Sequence, residues 1–151
     1  MKAHLKLIRI QSTPVTLCIM AAGYGVYTGT VIDENIIPML AVGALGHWGF
    51  YSMNEYVDYE YDVLDGKDGK PLVSGDVSMK AAKWISANLI SLSLISAFIL
   101  FSQDAFIGYL MCAFLGWLYN MTSKTRNHAA ILLALWGVFL VMTGYNYAGG
   151  Y

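Results

Sequence analysis

Five stretches of this chain, residues 12–30, 36–53, 81–101, 105–119 and 129–147, are apolar and almost free of charge. That spacing constrains the fold more than any motif does. Only Lys83 interrupts the five windows, near the start of the third, where its aliphatic stem can carry the ammonium out to the headgroups. A helix rising about 1.5 Å per residue needs roughly 20 apolar residues to cross the hydrocarbon core. Four windows meet that length, whereas 105–119 has to borrow from its flanks. Composition agrees: 57% of residues are hydrophobic and 13% charged, with a mean hydropathy of +0.52, against about 25% charged in a soluble domain. A buried soluble bundle is disfavoured, since five uncharged faces leave no amphipathic surface for water. The expected fold is therefore all-α: a polytopic membrane helical bundle of about five transmembrane helices, forming one domain over residues 1–151.

The nine basic residues sort into three groups: Lys2, Lys6 and Arg9; Lys67, Lys70, Lys80 and Lys83; Lys124 and Arg126. These are the N-terminus, the loop between the second and third spans, and the loop between the fourth and fifth. All three belong on one side of the membrane. The other two loops, at Asp33-Glu34 and Gln103-Asp104, carry acidic residues only. By the positive-inside rule the basic side is cytoplasmic. The net charge of −1 hides this asymmetry and offers nothing to attract nucleic acid. Ala21-Ala22-Gly23 resembles a signal-peptide cleavage site, but the apolar run continues to Thr28, which favours a first span over a removed leader. Cys18 and Cys112 both lie in apolar spans and read as packing residues rather than a disulfide or metal pair.

Within the second span, Gly43, Gly46 and Gly49 recur every third residue, so a neighbouring helix can approach them closely; room for a substrate tail is the sharper alternative. His47 is expected to pack or hydrogen-bond, because no second His or Cys stands at ligand spacing. Trp84, Trp117, Tyr145 and Tyr147 sit near span ends and read as interfacial anchors.

The chemistry concentrates in residues 54–80, which hold seven of the ten acidic residues: Glu55, Asp58, Glu60, Asp62, Asp65, Asp68 and Asp76. Residues 54–64 are predicted to extend the second span as a helix, ended by the turn chemistry of Asp65-Gly66, Asp68-Gly69 and Pro71. Asn54, Asp58 and Asp62 stand at i, i+4 and i+8, so a helix sets them in one stripe, which Asp65 prolongs. Like charges at that spacing cost a few tenths of a kcal/mol per pair, roughly. A bound divalent cation would reverse that sign. Mg²⁺ takes one or two carboxylates and completes its octahedron with water and phosphate oxygens, so the stripe suits an Mg²⁺–diphosphate complex better than a bare ion. An EF-hand is excluded, because Val63 stands where its loop requires Gly. Asp62-Val63-Leu64-Asp65-Gly66 is similar to the opening of the CDP-alcohol phosphotransferase signature, but Lys67-Asp68 follows where Ala-Arg is required.

The stretch from Asn54 to Asp62 resembles the first aspartate-rich motif of the UbiA superfamily of membrane prenyltransferases, Asn-Asp-x-x-Asp-x-x-x-Asp, with Glu55 in place of the usual Asp. Lys70-Pro71-Leu72-Val73-Ser74-Gly75-Asp76-Val77-Ser78 resembles the Arg-Pro-Leu-x-Ser-Gly-x-x-Ser segment that follows it. Tyr119-Asn120 with Lys124 and Arg126 is similar to the Tyr-rich, basic fourth–fifth loop, and Arg9 sits where the family often opens its first span. The resemblance covers nearly all of the chain.

It implies transfer of a prenyl group from an isoprenoid diphosphate to an aromatic or other lipid-like acceptor, with Mg²⁺ as cofactor and the membrane lipid as surroundings. It implies Asn54, Asp58 and Asp62 as metal-holding catalytic residues. Arg9, Lys70, Tyr119, Lys124 and Arg126 are implied for substrate, the cations meeting phosphate oxygens. The family has about nine helices and a second Asp-rich motif, whereas no Asp or Glu follows Asp104 here. The chain then reads as a fragment, a split-gene half or a degenerate homologue, and activity is expected only with a second chain that supplies the C-terminal half. A non-catalytic scaffold subunit of the same fold is the main alternative. A transporter is disfavoured by the lack of ionisable residues facing inward within the spans.

Overall fold

A computed structural model of the protein describes residues 2–122 and 128–149. The described chain is helical: α1 (Lys2–Leu7), a single 3-10 turn (Ile10–Ser12), α2 (Thr13–Thr28), α3 (Ile36–Val57), α4 (Tyr59–Leu64), α5 (Met79–Leu100), α6 (Gln103–Thr122) and α7 (Ala129–Gly149). Four of these, α3, α5, α6 and α7, are long and apolar enough to cross a membrane. The short fourth window does borrow from its flanks, since α6 runs over 20 residues. The first window falls short of its expected length: α2 has 16 residues, about 24 Å at the usual rise, and is not one of the four. Pro14 fits in its first turn, where no intrahelical N–H is needed. Gly29, at φ 76°, ends it in the left-handed region.

Close helix contact comes from glycine. A Cβ on Gly23 would strike the Val141 carbonyl, and one on Gly144 would strike that of Met20, so α2 and α7 cross nearly backbone to backbone. On α3, Gly43 faces Met20, Gly46 faces the Tyr109 hydroxyl and Gly49 faces Ile90. The three-residue glycine spacing thus serves packing against three different helices. Around these crossings lies a core that includes Met20, Tyr24, Met39, Val42, Phe101, Tyr109 and Leu140. A smaller cluster of Leu7, Leu72, Val77 and Ala82 pins α1 and the loop after α4 across one end of the bundle.

Several expectations are corrected. Residues 54–64 are not one helical extension: α3 ends at Val57, Asp58 forms a bend, and α4 resumes at Tyr59. Like charges stacked along the stripe weaken a helix there. The rungs across the bend survive, with Asp58 N–H donating to the Asn54 carbonyl and Asp62 N–H to the Asp58 carbonyl, both at 2.9 Å. Tyr147 packs inward instead of anchoring, its ring edge-on to Phe101 and its hydroxyl donating to the Asn35 carbonyl at 3.0 Å. Trp84, Trp117 and Tyr145 are exposed. Cys112 is buried, but Cys18 points outward.

Candidate active site

The end of the bundle that carries α1, α4 and the following loop gathers the charged groups. Asn54 sits one turn before the bend, and its Nδ2 donates to Asp58 Oδ2 at 2.7 Å. The neighbouring residue, Glu55, is rotated about 100° around the helix and meets other partners. Arg9 Nη2 lies 3.0 Å and Lys70 Nζ 3.3 Å from the same oxygen, Glu55 Oε1. Arg9 is placed by a local device, since it adopts φ 47°. That conformation costs roughly 1–2 kcal/mol outside glycine. The Arg9 carbonyl accepts from both the N–H and the hydroxyl of Ser12 at 2.9 Å, and its guanidinium lies over the Tyr51 ring at 5.1 Å.

Asp62, one turn beyond Asp58, is held by Lys70 at 2.6 Å on Oδ2 and Lys67 at 3.1 Å on Oδ1. The end of α4 explains the second contact. Gly66 N–H bonds the Val63 carbonyl and Lys67 N–H the Asp62 carbonyl, a Schellman closure that folds Lys67 back over the helix. Burial alone would raise the Asp62 carboxyl, but hydrogen bonds and charge from Lys70 and Lys67 outweigh it and hold it below the usual range. Lys67 is raised in turn by Asp65 and Asp62. Asp65, expected to prolong the stripe, is an exposed partner of Lys67 at 2.8 Å.

Inward from this cluster, a cavity of about 220 Å³ opens between α2, α3, α6 and α7. Its outer end is lined by Arg9, Asn54, Tyr119 and Asn120, and its deep end by Gly43, Tyr109, Cys112 and Leu140. From Asn54 to Gly43, eleven residues along α3, the cavity runs about 16 Å. Its walls grade from polar to apolar along that axis. His47, part way down, is hydrogen-bonded on both ring nitrogens, to Ser12 at 3.1 Å and Thr16 at 2.7 Å. The expected hydrogen-bonding role fits.

Of the residues singled out in the sequence, Arg9, Asn54 and Tyr119 therefore share the cavity wall. Asp58 and Asp62 continue outward from Asn54 and are buried, while Lys70 joins Asp62 to Glu55. Lys124 and Arg126 lie outside the described residues. Two residues of the site were missed: Glu55 as the joint between Arg9 and Lys70, and Asn120, whose buried Oδ1 has no hydrogen-bond partner among the described residues. Only its place beside Tyr119 hinted at the latter.

The donor chemistry of Asn54, Asp58 and Asp62, one amide oxygen and two carboxylates, fits a hard cation such as Mg²⁺ that keeps water and phosphate ligands. Among the described residues, however, no three His, Cys, Asp or Glu side chains converge on a cation position. The lysines already neutralise Asp62.

An apolar cavity among helices of membrane length, opening on a crowd of fixed charges, marks an integral membrane protein. The model of the UbiA prenyltransferase family matches residues 13–151, and the chain belongs to that family. It is 28% identical over 103 residues to digeranylgeranylglyceryl phosphate synthase of Hyperthermus butylicus, a match covering 66% of this chain and 34% of that protein. Among solved structures, a UbiA homologue from Archaeoglobus fulgidus bound to DMAPP and Mg²⁺ superimposes with a TM-score of 0.85 at 23% identity. That match covers 97% of this chain and 55% of the other. A structure described as giving insights into digeranylgeranylglyceryl phosphate synthase in membranes matches equally, with a TM-score of 0.85, 23% identity, and 95% and 51% coverage. The likeness establishes the UbiA fold, and the chain spans about half the length of these structures.

Proposed function

We propose that this chain provides the donor-binding half of a prenyltransferase site, which moves a prenyl group from an isoprenoid diphosphate to an aromatic or other lipid-like acceptor. The observation that carries the reading is the continuity of the cavity: its apolar end is buried among the helices and its mouth is lined by Arg9 and Asn54. The tail of the donor occupies the cavity and its diphosphate the mouth. Arg9 and Lys70 offer cations to phosphate oxygens, and the apolar wall keeps water from the allylic carbon when its bond to oxygen breaks. Asn54, Asp58 and Asp62 would hold Mg²⁺, which when bound supplies positive charge to the departing diphosphate. Tyr119 stands on the wall where an acceptor ring could meet the donor, and Lys124 and Arg126 are assigned to phosphate from the sequence pattern alone. The one-sided basic residues support a cytoplasmic mouth. Transfer itself requires the remaining half of the fold, whether on the same polypeptide or on another.

The test is Mg²⁺-dependent binding of geranyl diphosphate to the purified chain in detergent. Inorganic diphosphate should compete and geraniol should not. Arg9→Met and Asp58→Asn should each weaken binding by about tenfold, the loss of one charge-assisted contact. Competition by geraniol as strong as by diphosphate would reduce the site to an apolar pocket and overturn the reading.

A further inference from the structure

Asp62 is 1% exposed, and each of its oxygens faces an ammonium. Lys70 is the inner of the two, with its side chain 20% exposed against 43% for Lys67. Its Nζ bridges Asp62 Oδ2 at 2.6 Å and Glu55 Oε1 at 3.3 Å. Its backbone is fixed: the Lys70 N–H bonds the Lys67 carbonyl at 3.0 Å, the Lys70 carbonyl accepts from Ser74 N–H at 2.9 Å, and Pro71 follows. Only the flexible stem can move the ammonium. Glu55 Oε2 is buried and has no hydrogen-bond partner among the described residues, so this carboxylate relies on the cations at its other oxygen.

A divalent cation binds a carboxylate oxygen at about 2.1 Å and carries its own shell of ligands. An ammonium 2.6 Å from Asp62 Oδ2 repels such a cation and holds the place beside the oxygen that it would take. We propose that Lys70 is a positioning residue whose ammonium fills the cation place between Asp62 and Glu55, so that a metal binds Asp62 only when a diphosphate draws Lys70 away. The proposal rests on the donor-binding reading and adds an order of events to it. A diphosphate at the mouth gives the ammonium phosphate oxygens in exchange for carboxylate, and Asp62 opens as Lys70 leaves. No buried charge is left alone at any stage. A metal without a diphosphate has no such exchange to offer and is kept out.

The experiment titrates the purified full chain in detergent with Mn²⁺ alone, an oxygen-seeking ion of Mg²⁺ type, following free Mn²⁺ by electron paramagnetic resonance. Lys70→Met should bind Mn²⁺ at least tenfold more tightly than the native chain, and Asp62→Asn in that background should remove the gain. Lys80→Met makes the same change in net charge at an exposed residue and should leave affinity as it was. Equal Mn²⁺ affinity in the native and Lys70→Met chains would overturn the proposal, as would an equal gain from Lys80→Met. Should Lys70→Met lose its helical signal, Lys70→Gln keeps a polar side chain there, removes the same charge and must show a gain of at least tenfold. Geranyl diphosphate binding by the native chain is measured alongside. Its absence would sink the donor reading, while its presence without a gain in the Lys70 variants would sink this inference alone.

Discussion

At Asp62 two forces oppose each other, and the outcome fixes a pH dependence. Burial favours the neutral acid, while Lys70 and Lys67 favour the carboxylate and win, so the folded pKa lies below the ordinary carboxylate value of 3.8. A lowered carboxyl contributes stability that is whole above about pH 4 and is lost as pH falls through the folded value. Lys67, raised above 10.5, contributes below that value and loses its share as pH rises through the raised one. Thermal unfolding in detergent should therefore be level from about pH 5 to pH 9 and fall below pH 4. Asp62→Asn should lower the plateau by about 1–3 kcal/mol, discounted from a fully buried pair because Lys67 is partly exposed, and should flatten the acid step. A variant that keeps the full acid step would show that other carboxylates carry it. The stripe of Asn54, Asp58 and Asp62 was legible because helical period is local. The Arg9–Glu55 pair, 46 residues apart, was not, because it exists only once α1 and the 3-10 turn dock on α3.

Among the helices, glycine position decides what a substitution costs. A side chain at Gly23 or Gly144 meets a carbonyl of the opposing helix, and backbone cannot step aside as a side chain can. Gly23→Leu or Gly144→Leu should separate α2 from α7 and cost about 3 kcal/mol or more, at or beyond the upper end of ordinary overpacking. Gly43→Ala meets the sulfur of Met20, a flexible end that can move, and should cost about 1 kcal/mol. Gly137→Ala meets nothing within 4 Å and should be neutral or slightly stabilising. Unfolding in sodium dodecyl sulfate would rank them, and equal losses at all four would refute the backbone-contact account. The spans were legible from hydropathy. Gly23 and Gly144 were not singled out, because neither belongs to a repeated spacing and their importance arises where two helices cross.

For the molecule as a whole, sidedness and completeness decide whether the site can work. The mouth, α1 and the loop after α4 share one end of the bundle, and the proposed cytoplasmic orientation of that end is open to a direct test. In intact cells Glu34→Cys should react with an impermeant thiol reagent and Ser74→Cys should not. The reverse pattern would invert the topology. Catalysis makes the stricter demand. A diphosphate leaves only if charge is balanced around it from opposing directions, and this chain offers Asn54, Asp58 and Asp62 from one. Joined or co-expressed with a C-terminal half carrying the second Asp-rich motif, it should transfer a labelled prenyl group in proteoliposomes, while the 151-residue chain alone should not. Asp58→Ala in the complemented protein should abolish transfer, a loss of several kcal/mol in transition-state stabilisation, roughly, if the metal is misplaced. Robust turnover by these residues alone would refute the need for a second half. Full activity of the complemented Asp58→Ala protein would remove that residue from the site.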